Sequence, residues 1–170
     1  MAIVIEDGSG VAGADSYASV DDLRTFASKR GETVPVADAD CEVLLVSAMD
    51  WLEAQEMRYL GTRLYNTQAL AWPRVNVREI NGQQYRDPNI IPPELIKAQC
   101  ALAISAQTTD LQIDRIPGDT GAVLSEKVGS LAVTYADPGQ RLTQPTFAAA
   151  EGFLVSLVRG GAGSLRVVRA

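Results

Sequence analysis

Hydrophobic positions recur at helical spacing in four stretches of the chain and alternate in two others. The first helix signal starts at Ser19, where Ser19-Val20-Asp21-Asp22 offers a capping side chain and acids in the first turn. Leu23, Phe26 and Ala27 follow on one side, and Gly31 is the stop signal. Asp38 opens a longer helix to about Glu56, with Cys41, Leu44, Leu45, Ala48, Trp51, Leu52 and Gln55 on its apolar face. Asp40, Glu42, Asp50, Glu53 and Glu56 fall on the other face, where they are expected to be solvated or to meet arginines of another subunit. A third helix is predicted from Pro93 to about Leu111. Its small residues suit close helix–helix approach. A fourth is predicted from Pro145 to about Val158.

Between the second and third helices the pattern changes. Gly61 breaks helical periodicity, and Pro73 biases Trp72 towards an extended backbone. Residues 75–86 read as a β-hairpin around Asn81-Gly82, with Val75, Val77 and Tyr85 on one face and Arg74, Arg78 and Arg86 exposed. A single strand is predicted over Glu126–Tyr135, with a turn at Asp137-Pro138-Gly139. The expected fold is mainly α: a bundle of about four helices with a small β-hairpin or strand element and flexible termini. Residues 1–15 read as a flexible arm whose Ile3-Val4-Ile5 tip either docks on a neighbour or frays. Residues 16–158 form the helical domain. Residues 159–170 form a glycine-hinged tail whose Leu165, Arg166, Val167, Val168 and Arg169 either dock on a partner or add a strand to the protein's own sheet.

Charge sharpens this picture. The net charge of −6 is made up of −9 over residues 1–57, +4 over 58–86 and −1 over 87–170. The basic middle segment carries five arginines, and its Gln68–Arg74 string (QALAWPR) is read as a contact device. Arg63, Arg74, Arg78 and Arg86 are its candidate interface residues; Gly61, Gln68, Trp72 and Pro73 are its structural ones. An acidic chain with one basic segment is a poor general grip for phosphates.

The chain has no histidine, which removes serine–histidine and cysteine–histidine catalysis. Its two cysteines, Cys41 and Cys100, are far apart and show no metal spacing, so both are expected to be buried thiols. No phosphate-binding glycine loop is present. These features predict neither an enzyme, a cofactor nor a metal site. No apolar run approaches the roughly 20 residues that span a bilayer, and the N-terminus lacks a signal-peptide pattern.

Several features together resemble a known family. They are Ser16-Tyr17 and Ser19-Val20; Leu44 to Trp51; Gly61, Arg63, Gln68, Leu70 and Trp72-Pro73-Arg74; Gly82; Ile91-Pro92; the Ala98–Ala103 helix; Lys127-Val128-Gly129 with Tyr135; and the glycine-rich stretch before Leu165-Arg166-Val167. In this layout the chain resembles the small head–tail connector (adaptor) proteins of tailed bacteriophages, in particular the group described as DnaT-like single-stranded DNA-binding proteins. The resemblance implies a helical protomer that forms a ring of about a dozen copies below the portal. The ring would extend the channel for passing double-stranded DNA, without sequence-specific binding, and meet the next tail-side component. A C-terminal tail would reach the portal or a neighbouring copy. The place implied is the virion neck, with the host cytoplasm during assembly. The family label carries the alternative, a single-stranded DNA-binding protein of phage replication. For that role Tyr59, Arg63, Tyr65, Trp72, Arg74, Arg78 and Tyr85 are the candidate groove.

Overall fold

The computed structural model describes residues 2–78, 86–112, 125–128, 131–134 and 146–159. It separates into two units, one of residues 1–111 with 147–170 and a small one of residues 112–146. The larger unit holds four helices: α1 (Val20–Ser28), α2 (Asp38–Ala54), α3 (Pro93–Ala106) and α4 (Ala148–Leu154). Its two short strands, β1 (Thr62–Arg63) and β2 (Arg74–Val75), pair antiparallel. The smaller unit holds the antiparallel pair β3 (Ser125–Val128) and β4 (Leu131–Thr134). The fold is therefore the mainly α bundle with small β elements that the hydrophobic pattern predicts.

Local chemistry sets the helix ends. Ser19 accepts the N–H of Asp22 while the Asp22 carboxylate accepts the N–H of Ser19, a reciprocal capping box. Gly31, at φ +69°, turns the chain away after α1. Asp38 is not a cap: Ala37 occupies that position, and Asp38 pairs with Arg24 at 2.6 Å. α2 stops at Ala54 and continues as a 3-10 turn over Glu56–Arg58. α3 and α4 are shorter than their periodicity suggests, ending at Ala106 and spanning only Ala148–Leu154.

α3 is the hub and packs on α1, α2 and α4. Ala98, Ala101 and Ala103 let its neighbours approach, while Leu95 and Leu102 are fully buried. Leu23, Leu45, Leu52 and Leu157 close the same core, each stabilising it by about 1.5–3 kcal/mol. Phe26 meets Phe153 and Trp51 meets Phe147 edge to face, with ring centroids 6.0 and 5.9 Å apart. Trp51 is thus a core residue, as its place on the apolar stripe predicts. Cys41 and Cys100 are buried free thiols, and burial pushes the Cys100 thiol up to about 12.

The amide of Gln99 sits in the core with no exposed surface. Its Oε1 accepts the backbone N–H groups of Tyr17 and Ala18 at 3.0 and 2.9 Å. Its Nε2 donates to Ser16 Oγ and the Leu45 carbonyl at 2.7 and 3.0 Å. One side chain of α3 thereby ties down the lead into α1 and touches α2.

Three expectations need correction. The stretch 1–15, expected to be a flexible arm, closes on itself. Glu6 is buried, and its carboxylate accepts the N–H groups of Gly8, Gly10 and Val11. Backbone bonds from Glu6 to Ser16 and from Asp15 to Val4 lock the loop. Sequence reading missed this because a carboxylate that accepts three local N–H groups looks like any acid in a glycine-rich run. The hairpin over 75–86 is also different: β2 pairs with β1, and Asn76 at φ +60° interrupts the strand before Val77. The Arg86 N–H still returns to the Val77 carbonyl at 2.8 Å; the Asn81-Gly82 turn and Tyr85 lie outside the described residues. The single strand expected over 126–135 is two, β3 and β4, paired antiparallel; Gly129, Ser130 and Tyr135 lie outside the described residues.

Replacing Gln99 with Leu removes the partner of two buried N–H groups and a hydroxyl. The expected loss is about 3 kcal/mol or more, read as a lower urea midpoint with an unchanged slope.

Candidate functional site

The basic segment folds as a brace around one glutamate. Glu56, in the 3-10 turn after α2, accepts from Nε and NH2 of Arg63 at 2.6 and 2.8 Å. This fork holds the Glu56 carboxyl below its ordinary value. Arg74 lies beside the pair, with NH1 3.8 Å from Glu56 Oε1.

Arg74 is 7% exposed. Its Nε donates to the Leu60 carbonyl at 2.8 Å, NH1 to Ala71 at 3.2 Å and NH2 to Gly61 at 3.0 Å. The guanidinium also sits 5.9 Å from the centre of the Tyr59 ring. Burial lowers its pKa without neutralising it. The exposed arginine expected at this position is corrected: three backbone carbonyls left without helix or sheet partners draw it inward.

Gln68 completes the brace. Its Oε1 accepts the N–H of Tyr65 at 2.9 Å, and its Nε2 donates to the Leu70 and Pro73 carbonyls at 2.7 and 3.1 Å. The Arg63 NH1 donates to the Gln68 carbonyl at 3.1 Å. The Trp72–Pro73 bond is cis. Trp72 is 1% exposed, packs edge to face on Tyr59, and its indole N–H has no hydrogen-bond partner. Its place is therefore set by packing. Gly61 has φ +69°, and a Cβ there would lie 2.1 Å from the Val75 carbonyl oxygen.

A second carboxylate, Glu53 of α2, holds the other side of the loop. It accepts the Ala71 N–H through both oxygens, at 3.0 and 2.9 Å, and the Tyr17 hydroxyl at 3.1 Å. The Tyr17 oxygen in turn accepts the Trp72 N–H at 2.9 Å. Burial raises the Glu53 carboxyl, outweighing these hydrogen bonds. Glu53 was expected on a solvated face and is instead an internal acceptor. Neither Glu53 nor Tyr17 was singled out for this loop by the sequence. The available signal was an acid on α2 one turn before Glu56, preceding a segment rich in unpaired backbone.

The other predicted interface residues are placed as follows. Arg86 is half-buried and forked onto Glu94, with both contacts at 3.0 Å. Arg78 is exposed and is not without a partner. Tyr65 is at the surface beside Gly10. Leu165, Arg166, Val167, Val168 and Arg169 lie outside the described residues. Of the rings named for base stacking, Tyr59 and Trp72 are shut inside the core. Among the described residues no cluster of cysteine, aspartate and glutamate side chains is arranged to hold a metal ion, and no helix is long and apolar enough to cross a membrane.

A family model described as "Putative DnaT-like ssDNA binding protein" matches residues 1–170. A match over that length shows the family, and the chain belongs to it. No curated protein and no solved structure matches the chain.

Two tests address the brace. Gly61→Ala combines a left-handed backbone with a backbone clash, so it should destabilise the protein by about 2 kcal/mol or more, seen as a lower melting temperature. The two glutamates oppose each other in pH dependence. Glu56, with its pKa held low, contributes stability that is present above the ordinary carboxylate value of ~4.3 and is lost as pH falls through its lower folded value. Glu53, with its pKa raised, contributes stability that is present below that ordinary value and is lost as pH rises through its higher folded value. Urea midpoints measured across acidic pH should therefore lose their rise below ~4.3 in Glu56→Gln and their fall just above ~4.3 in Glu53→Gln.

Proposed function

We propose that this member of the DnaT-like family is a structural ring subunit, the head–tail connector of a tailed phage, and has no catalytic step. It would assemble with copies of itself below a portal, extend the DNA channel and receive the next tail component. The observation that carries this reading is the inward turn of the basic segment. Arg63 and Arg74 brace the protomer, and Tyr59 and Trp72 fill its core. A groove for single strands needs such cations and rings at the surface. An acidic channel wall would let double-stranded DNA pass without adhering.

A second reading, single-stranded DNA binding, is favoured by the family description, which names that activity. It would draw on Arg78 and Tyr65 at the surface, with Tyr85, Arg166 and Arg169.

One pair of measurements separates the two. The purified protein is sized alone and with the portal protein of the same phage, and is titrated against single-stranded DNA in a gel shift at about 150 mM salt. The expected result is stoichiometric association with the portal and no retarded DNA. Tight DNA binding without portal association would overturn the connector reading and establish the second.

A further inference from the structure

α2 has a second apolar face that the fold does not cover. Ala39, Val43, Val46, Asp50 and Ala54 succeed one another at intervals of three or four residues along its outer side. Val43 is 64% and Val46 37% exposed. Met57, 87% exposed, extends the line beyond the end of the helix, and Val36, 94% exposed, begins it. Asp50 interrupts the stripe and Asp40 borders it; both are exposed. The outer face of α2, where the sequence pattern predicts a charged surface, is thus an apolar strip with acids along it. Isolated exposed valines need no explanation, but an aligned series does.

The end of the described chain shows what lies within reach. After α4, Leu157 and Val158 pair antiparallel with Leu60 and Tyr59, and the Arg159 N–H donates to the Arg58 carbonyl at 2.7 Å. The chain therefore leaves beside Met57, at one end of the stripe. Beyond it come four residues rich in glycine and then Ser164-Leu165-Arg166-Val167-Val168-Arg169, apolar and doubly basic. At about 3.3 Å per extended residue, Leu165 to Arg169 reach ~20–33 Å from Arg159. The helix is about 25 Å long at ~1.5 Å per residue.

We infer that the outer stripe of α2 is the docking surface for the chain's own Leu165–Arg169 segment, bound in cis. The leucine and valines of the segment cover Val43 and Val46, its arginines meet Asp50 and Asp40, and the glycine-rich stretch before it spans the distance from Met57. A short tether gives an effective concentration of about millimolar, which favours this occupant over a second copy in dilute solution. The inference is independent of the connector reading, since it concerns the isolated chain.

Trypsin cleavage after Arg166, followed by intact mass, reads out the docked state. If cleavage samples the open form, Val43→Gln/Val46→Gln should speed it about ten-fold, at a rate that is independent of protein concentration in the natural chain. Asp40→Asn/Asp50→Asn, at exposed positions, should act in the same direction and decides the matter if circular dichroism shows the valine double variant unfolded. Equal rates in natural and variant chains overturn the proposal. Protection that grows with protein concentration also overturns it, because the occupant would then be a second copy.

Discussion

The larger unit depends on a single column of polar contacts that starts in the apolar core. Gln99 leaves none of its amide hydrogen-bonding groups idle, and in doing so fixes where the Tyr17 backbone lies. With its backbone held, Tyr17 projects its hydroxyl to the one place where it can donate to Glu53 and accept from Trp72. Glu53 then captures the Ala71 N–H. A buried amide on α3 is in this way linked to the irregular loop through one tyrosine. Each member is costly to bury alone and satisfied only in company, which selects one arrangement over the many that a greasy core would tolerate.

The loop beyond Tyr59 follows the same logic without regular secondary structure. Helix and sheet usually satisfy backbone carbonyls; here Arg74 and Gln68 do so with their side chains. Gly61 allows the antiparallel pairing of β1 with β2 because nothing larger than hydrogen fits against the Val75 carbonyl. The loop's backbone is thus held by side chains, with only four of its residues in strands.

The helices were legible because their signals are local. Ser19 and Asp22, Gly31 and Pro93 each act within a turn of where they stand, and the small residues of α3 marked it for close helix–helix approach. Lengths were overread in α3 and α4, since periodicity continues past the residue where packing stops. The Gln68–Arg74 string stood out as special, and Gln68, Trp72 and Pro73 were read as structural; in the fold Gln68 hydrogen-bonds the loop backbone while Trp72 and Pro73 are buried. The direction of Arg74 was not legible. Outside a helix or strand no period tells which way a side chain points, and its partners are carbonyls that only the folded loop leaves unpaired. Glu53 was misread for the complementary reason: the helical pattern placed it on the outer side, and a distant segment then covered it. Glu6 was passed over because its partners are N–H groups of glycines, invisible in any pattern of side chains.

Arg74 also bears on how likeness between chains should be interpreted. A lysine at that position has one ammonium and cannot reach three carbonyls set in different directions. The string from Gln68 to Arg74 is therefore a folding instruction, readable by the chain itself. A second protein carrying it is expected to close its loop in the same way. The surfaces of the two remain free to diverge, and with them whatever each one touches, so a label carried across on the strength of that string transfers architecture ahead of activity.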